Sequence, residues 1–168
     1  DAIISHAAEL SIEISHLTNA LGLAGNSIES AINTTLKDNR LIALKKGNIN
    51  IPKFKIINAD VKFHDLVNLI GGWDFPFVIK PNNSKGAFGV QIISSKIELK
   101  EYFDNFICNS GDVFIIEELL TGKQFSTESI FYKGEVLWNA IAYRHYEGMH
   151  NYYPYLIEDG HSMPVSIS

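Results

Sequence analysis

A single cysteine, Cys108, stands in this chain of 168 residues. No disulfide can close within it, which suits a reducing cytoplasm. No run of about 18 apolar residues occurs, so no membrane-spanning helix is expected. No signal peptide is expected either, because the opening residues soon bring His6 and Glu9. The chain begins on Asp1 rather than Met, from which an excised or processed piece of a longer protein is expected. Basic residues are outnumbered, 14 against 19 acidic, for a formal net charge of −5. That argues against a general nucleic-acid surface and leaves room for a locally basic, phosphate-binding cleft. Charge is not in excess: 20% charged and 46% hydrophobic residues describe an ordinary globular chain rather than a disordered one. There is no internal repeat and no low-complexity stretch. The strand-to-helix phosphate loop GxxxxGK[ST], the dinucleotide glycine fingerprint and the G-x-S-x-G nucleophile turn are all missing. The six histidines lack zinc-site spacing, and Cys108 has no partner at ligand distance in sequence.

What is present alternates between helical and strand periods. Residues 1–5 look like the end of a strand. Ala7, Leu10, Ile14, Leu17 and Leu21 recur at helical spacing over 6–21, and Gly22 and Gly25 close that helix. A short helix is expected from Asn26, with Glu29 three residues on, and another from Thr35 and Asp38 to Lys46, lined by Leu36, Ala43 and Leu44 and ended by Gly47. Strands are expected over 53–58, 75–80, 89–94 and 113–116, and helices from Asp60 to Ile70 and from Ser95, with Glu98, to about Cys108. Two longer strands, 124–132 and 135–145, flank a Lys133-Gly134 turn. The last 20 residues read as aromatic and irregular. The fold class is α+β.

Lys80 ends the strand FPFVIKP, in which Phe75, Phe77 and Ile79 share one face while Pro76, Val78 and Lys80 share the other. Both faces are largely apolar, so a buried ammonium there needs an anionic partner, unless it snorkels to water. The loop Asn82-Asn83-Ser84-Lys85-Gly86-Ala87-Phe88-Gly89 follows at once. Its small residues let backbone N–H groups turn towards an anion, or make a plain hairpin loop. Glu117 and Glu118 end the strand VFII and must point to opposite faces, so they cannot act as a carboxylate pair. Gln124, Ser126 and Glu128 share one face of their strand, and Phe125 and Phe131 take the other. That polar face either lines a cleft or meets water.

In this order, LGLAGNSIESAINTTLKDNRLIALKKGNINIP, FPFVIKPNNSKGAFGV and VFIIEELLTGKQFSTESI resemble the ATP-grasp superfamily, over most of the chain. The resemblance implies two α+β lobes around a nucleotide cleft, divided as 1–34 (remnant of a preceding α/β domain and linker helices), 35–116 (small lobe) and 117–168 (start of the large lobe). It implies that Lys37 and Lys80 approach the phosphates of ATP. The loop with Ser84, Lys85, Gly86 and Gly89 would close over the β- and γ-phosphates, and Glu117 would stand at the adenine pocket. The Glu118 carbonyl and Leu120 N–H would read the adenine edge. At the ribose contact the family's glutamate is replaced by Gln124, which can hydrogen-bond without adding charge. LIEDGHSMPVSIS resembles the Glu-x-Gly-His-x-x-Pro stretch of members that join carboxylates to amines, so His161 would reach phosphate or substrate as a catalytic group. No residue matches the family's metal ligands, and Mg2+ would be held by residues beyond Ser168. The implied activity is ATP-dependent ligation of a small-molecule carboxylate to an amine through an acyl-phosphate, as in amino-acid ligases and carbamoyl-phosphate-synthase-like domains, with this piece inactive alone. No nucleic acid or membrane partner is expected, and the resemblance allows a homodimer. A non-catalytic nucleotide-binding or interaction module of the same fold is the alternative.

Overall fold

The computed structural model describes residues 1–5, 9–106 and 109–165. Two antiparallel sheets organise them. The first has the order β1-β4-β2-β3, formed by β1 (Phe54–Asn58), β2 (Phe77–Pro81), β3 (Gln91–Ile93) and β4 (Val113–Glu118). The second has the order β5-β6-β7, formed by β5 (Gln124–Tyr132), β6 (Glu135–His145) and β7 (Gly160–Ser162).

Strand alternation gives the first sheet two unlike faces. Ile57, Phe77, Ile79, Ile93, Phe114 and Ile116 form a buried core with Leu66 and Ile70, and with Leu99 and Tyr102. The helices that supply these partners are α4 (Phe63–Leu69, with Ile70 as its C-cap) and α5 (Lys96–Asn105). Phe114 is fully buried and meets the rings of Phe103 and Phe106 edge-on at 5.4 and 5.3 Å. The pairings Val78↔Glu117 and Lys80↔Ile115 put Val78, Lys80, Ile115 and Glu117 together on the opposite face. The α5 start is as the sequence indicates: Ser95 Oγ accepts from Glu98 N at 3.2 Å, and the Glu98 carboxylate accepts from Ser94 N at 2.9 Å.

Several local expectations are corrected. Residues 1–5 form no strand. The first helix, α1, is Ser11–Ala20, and the residues it buries are Ser15 and Thr18, while Leu10, Leu17 and Leu21 are exposed. Apolar spacing marked a helix here, but Glu9 and Leu10 fall outside it, and the spacing did not mark the side that packs. Ala7 and Cys108 lie outside the described residues. Ser27, not Asn26, caps α2 (Ile28–Thr35), accepting from Ser30 N at 3.1 Å. The third helix, α3 (Lys37–Lys46), has no side-chain cap at its N-cap residue Leu36, and Asp38 accepts only from its neighbour Asn39 N, at 2.7 Å. Asn82 caps it from across the fold, its Oδ1 accepting from Asp38 N at 2.9 Å. Asp60 does not cap α4; its carboxylate accepts from Ser110 Oγ and Gly111 N at 3.1 and 3.2 Å, tying the loop before β4 to the loop after β1.

The β5–β6 hairpin turns on Lys133 (φ 51°) and Gly134 (φ 84°), the left-handed pair a tight two-residue turn requires. The tail is less irregular than its composition indicates. A 3-10 turn over Met149–Tyr152 precedes β7, which pairs with β6. Between them Pro154 O accepts from Ile92 N at 2.8 Å, and Tyr155 bridges to Gln91, so this segment straps the edge strand β3.

Candidate functional site

The open face of the first sheet looks into a cleft of about 880 Å³. Its walls come from α2 and α3, the loop between β2 and β3, the Glu117–Gln124 connection, and the β6 end with Arg144 and Tyr146. Of the residues singled out in the sequence, Lys37, Lys80, Ser84, Lys85, Gly86, Glu117, Glu118, Leu120 and Gln124 all line it.

Lys80 has its anionic partner. Its Nζ lies 2.7 Å from Glu117 Oε1, with the two side chains 19% and 12% exposed. Glu118 points the other way, as adjacent strand residues must, and its Oε1 accepts from Lys53 N at 2.9 Å.

Lys37 is held differently. It opens α3, where the helix dipole already disfavours a cation. Its Nζ donates to Ser84 O at 2.6 Å and Asn82 O at 3.1 Å, with Ser84 Oγ at 3.4 Å. Burial, reinforced by the neighbouring charges of Lys80 and Arg40, pulls its pKa from 10.5 down to about 8. Two cations that repel each other across a half-buried cleft make a place where an anion is favoured.

Asn82 is the residue the sequence reading passed over. It is buried, its N–H donates to Val113 O at 2.8 Å, and its carbonyl and side chain serve Lys37 and α3. Through its backbone and its side chain, this one residue ties the end of β2 to the start of α3 and to Lys37. Its signal was available in the motif itself, since an Asn two residues after Lys80 at a strand end is well suited to satisfying backbone groups.

In the loop, Gly86 (φ 59°) and Ala87 (φ 58°) are consecutive left-handed residues. Lys85 Nζ donates to Glu9 O, tethering the loop to the segment before α1. Gly89 is not part of the cleft wall. Its carbonyl accepts from Tyr102 Oη at 2.7 Å, and an added Cβ would collide with Phe106 and Pro81. Here glycine serves close packing of the loop's return on α5.

On the far wall Gln124 pairs in register with Arg144. Arg144 donates to Glu158, which holds that carboxyl below its usual range, and its guanidinium lies 5.2 Å over the Tyr146 ring. Arg144 was missed because a two-residue turn run straight back pairs Gln124 with Tyr143. The register shift between Ile130 and Phe131 inserts one extra residue on β6 and brings Arg144 opposite Gln124 instead. Glu128 pairs with Ala140 and is exposed outside the cleft wall. His161 is likewise not in that wall; it sits on β7, exposed, 4.0 Å from Glu158.

A sheet whose inner strand β2 carries a lysine into a cleft, beside a glycine loop and a hinge-like connection, is matched in solved structures. An L-amino acid ligase from Bacillus licheniformis superposes with a TM-score of 0.73 at 20% identity, over 96% of this chain and 36% of that one. The fold is that of the ATP-grasp ligases. A D-alanine–D-alanine ligase from Bacillus anthracis, complexed with ATP, superposes with a TM-score of 0.60 at 23% identity, over 84% of this chain and 44% of that one. In sequence, a D-alanine–D-alanine ligase from Pediococcus pentosaceus is 30% identical over 80 residues, 48% of this chain and 21% of its own length. No family model matches the chain. The chain therefore spans about a fifth of that curated relative and less than half of either ATP-grasp structure. Among the described residues no helix is long and apolar enough to cross a membrane, and no group of three His, Cys, Asp or Glu side chains is gathered to hold a metal ion.

Proposed function

We propose that this chain is the nucleotide-binding portion of an ATP-dependent ligase that activates a carboxylate as its acyl-phosphate and passes it to an amine. The observation that carries the reading is the convergence of Lys37 and Lys80 in one cleft with the Ser84–Gly86 loop and the Glu117–Gln124 connection. The two ammonium groups neutralise phosphate charge, and the loop's small residues let backbone amides approach it. The Leu119–Gly122 stretch, outside any strand, takes the adenine edge through the Glu118 carbonyl and the Leu120 N–H, with Glu117 beside it and Gln124 at the ribose. His161 belongs to the substrate side and needs closure of its segment to take part. The proposed division is 1–34, 35–116 and 117–168, with Glu117 and Glu118 as the last two residues of β4 at the junction.

The ATP-bound relative supports ATP as the nucleotide, and the amino-acid ligases among the matched structures support an amino-acid-type carboxylate. Magnesium fits less well, since among the described residues no group of three His, Cys, Asp or Glu side chains could hold it. The test is phosphate release from ATP by the longest chain containing these residues, with a panel of amino acids singly and in pairs. The proposal expects release that requires an amino acid and is lost in Lys80→Ala. Release indifferent to every carboxylate would overturn it.

A further inference from the structure

The cleft holds two lysines in opposite chemical situations. Lys80 is ion-paired with Glu117 at 2.7 Å. Among the described residues no carboxylate pairs with Lys37; its partners are the carbonyls of Asn82 and Ser84. A neutral amine keeps two N–H groups, enough to hold both carbonyls, so deprotonation costs Lys37 only its weakest contact, Ser84 Oγ at 3.4 Å. Its Nζ is therefore fixed at the cleft wall by the same two bonds whether charged or not. Lys80 and Arg40 stand in the same wall as cations able to bind a phosphate.

We infer that Lys37 is a covalent acylation site: the cleft binds small acyl phosphates by their phosphate group and delivers the acyl carbon to the Lys37 amine. In the step, the Nζ lone pair forms a C–N bond to the carbonyl carbon and the C–O bond to phosphate breaks. Inorganic phosphate leaves with that electron pair, and the displaced amine proton passes to water. The product is a neutral amide that fills the space beside Lys80 and removes one of the two phosphate-binding charges, so acylation closes the site to anions. An amine held near 8 rather than 10.5 carries on the order of three hundred times more free base at neutral pH, and lower basicity offsets only part of that in nucleophilicity. The inference rests on the anion-binding character of the cleft and not on nucleotide recognition.

The experiment is incubation of the protein with acetyl phosphate, followed by peptide mass mapping of every lysine over time. Lys45 and Lys46, exposed in the last turn of the same helix, are the internal references. The inference expects Lys37 to be acetylated at least tenfold faster than either, with a rate that rises to a plateau above about pH 8, and with protection by pyrophosphate. Lys37→Arg, which keeps the charge and cannot be acetylated under these conditions, should show the reference lysines reacting unchanged. Equal rates at Lys37, Lys45 and Lys46, a rate still climbing beyond pH 10, or no protection by pyrophosphate would each overturn it. Protection by pyrophosphate with none by ADP would support this inference while overturning the nucleotide reading.

Discussion

Replacing Lys80 with Met leaves Glu117 as a carboxylate on a sheet face with its counter-charge gone. Breaking a fully buried pair costs about 3–5 kcal/mol, because the stranded charge keeps its desolvation penalty. Here the side chains retain 19% and 12% exposure, so water reaches part of the carboxylate and the expected cost falls to roughly 2–3 kcal/mol. For a chain of this size that is a Tm lower by roughly 4–12 °C. The pair is a native-state feature at the site where an anion is proposed to bind, so the second half of the prediction concerns Glu117. Lys80→Met combined with Glu117→Gln removes both charges and should recover to within about 1 kcal/mol of the native chain, since a neutral amide there needs only a hydrogen-bond partner. Denaturant unfolding of the native protein, both single variants and the double variant, closed as a cycle, measures the coupling. A cost under about 0.5 kcal/mol for Lys80→Met, typical of an exposed pair, would refute the reasoning, as would a double variant no more stable than the single.

Lys37 sets the pH dependence. Between pH 8 and 10.5 the unfolded chain holds a proton that folded Lys37 has lost, so this residue adds stability as pH rises through that window, and the native-minus-Lys37→Met difference in unfolding midpoint should follow it. Anion affinity runs the other way: a bound phosphate favours the ammonium, so affinity for an ATP analogue should fall as pH climbs past about 8 in the native chain and stay flat in Lys37→Met, read by calorimetry. Ser95→Ala removes the α5 cap seen at 3.2 Å and should cost about 0.5–2 kcal/mol in chemical unfolding, with anion affinity unchanged because α5 lies on the core face of the sheet. Deleting Leu137 should remove the bulge without moving the pairs beyond it, so Gln124 stays opposite Arg144, and both anion affinity and the hairpin's circular dichroism should be unchanged.

The sheet strands, the Lys133-Gly134 turn and the Ser95 cap were legible because each depends on neighbours within a few residues. Alternation in FPFVIKP told which side chains share a face, and the Lys80 requirement for an anion followed from burial alone. Three things were not legible, each for a long-range reason. The α3 cap comes from Asn82, 44 residues away, which no local capping pattern reveals. The facing pair Gln124–Arg144 depends on a one-residue bulge that hydrophobic patterning does not mark. The packed side of α1 is the one bearing Ser15 and Thr18, where Thr18 Oγ1 returns to the Ile14 carbonyl at 2.9 Å, so its apolar stripe misreports its buried side. For the site, the lysines and the loop were readable as types. Their convergence was supplied by tertiary structure, and Gly89 proved to be a packing glycine.

The central claim is that Lys37, Lys80 and the 82–90 loop form one anion site bordered by the Glu117–Gln124 connection. Amide chemical-shift mapping on the isotope-labelled chain, titrated with a non-hydrolysable ATP analogue, tests it most directly. The account predicts saturable shifts confined to Thr34–Arg40, Asn82–Val90 and Glu117–Gln124, and loss of those shifts in Lys80→Ala at the same concentrations. Shifts centred instead on the groove of Glu98, Tyr102, Tyr153 and Tyr155, or a map unchanged by Lys80→Ala, would contradict it.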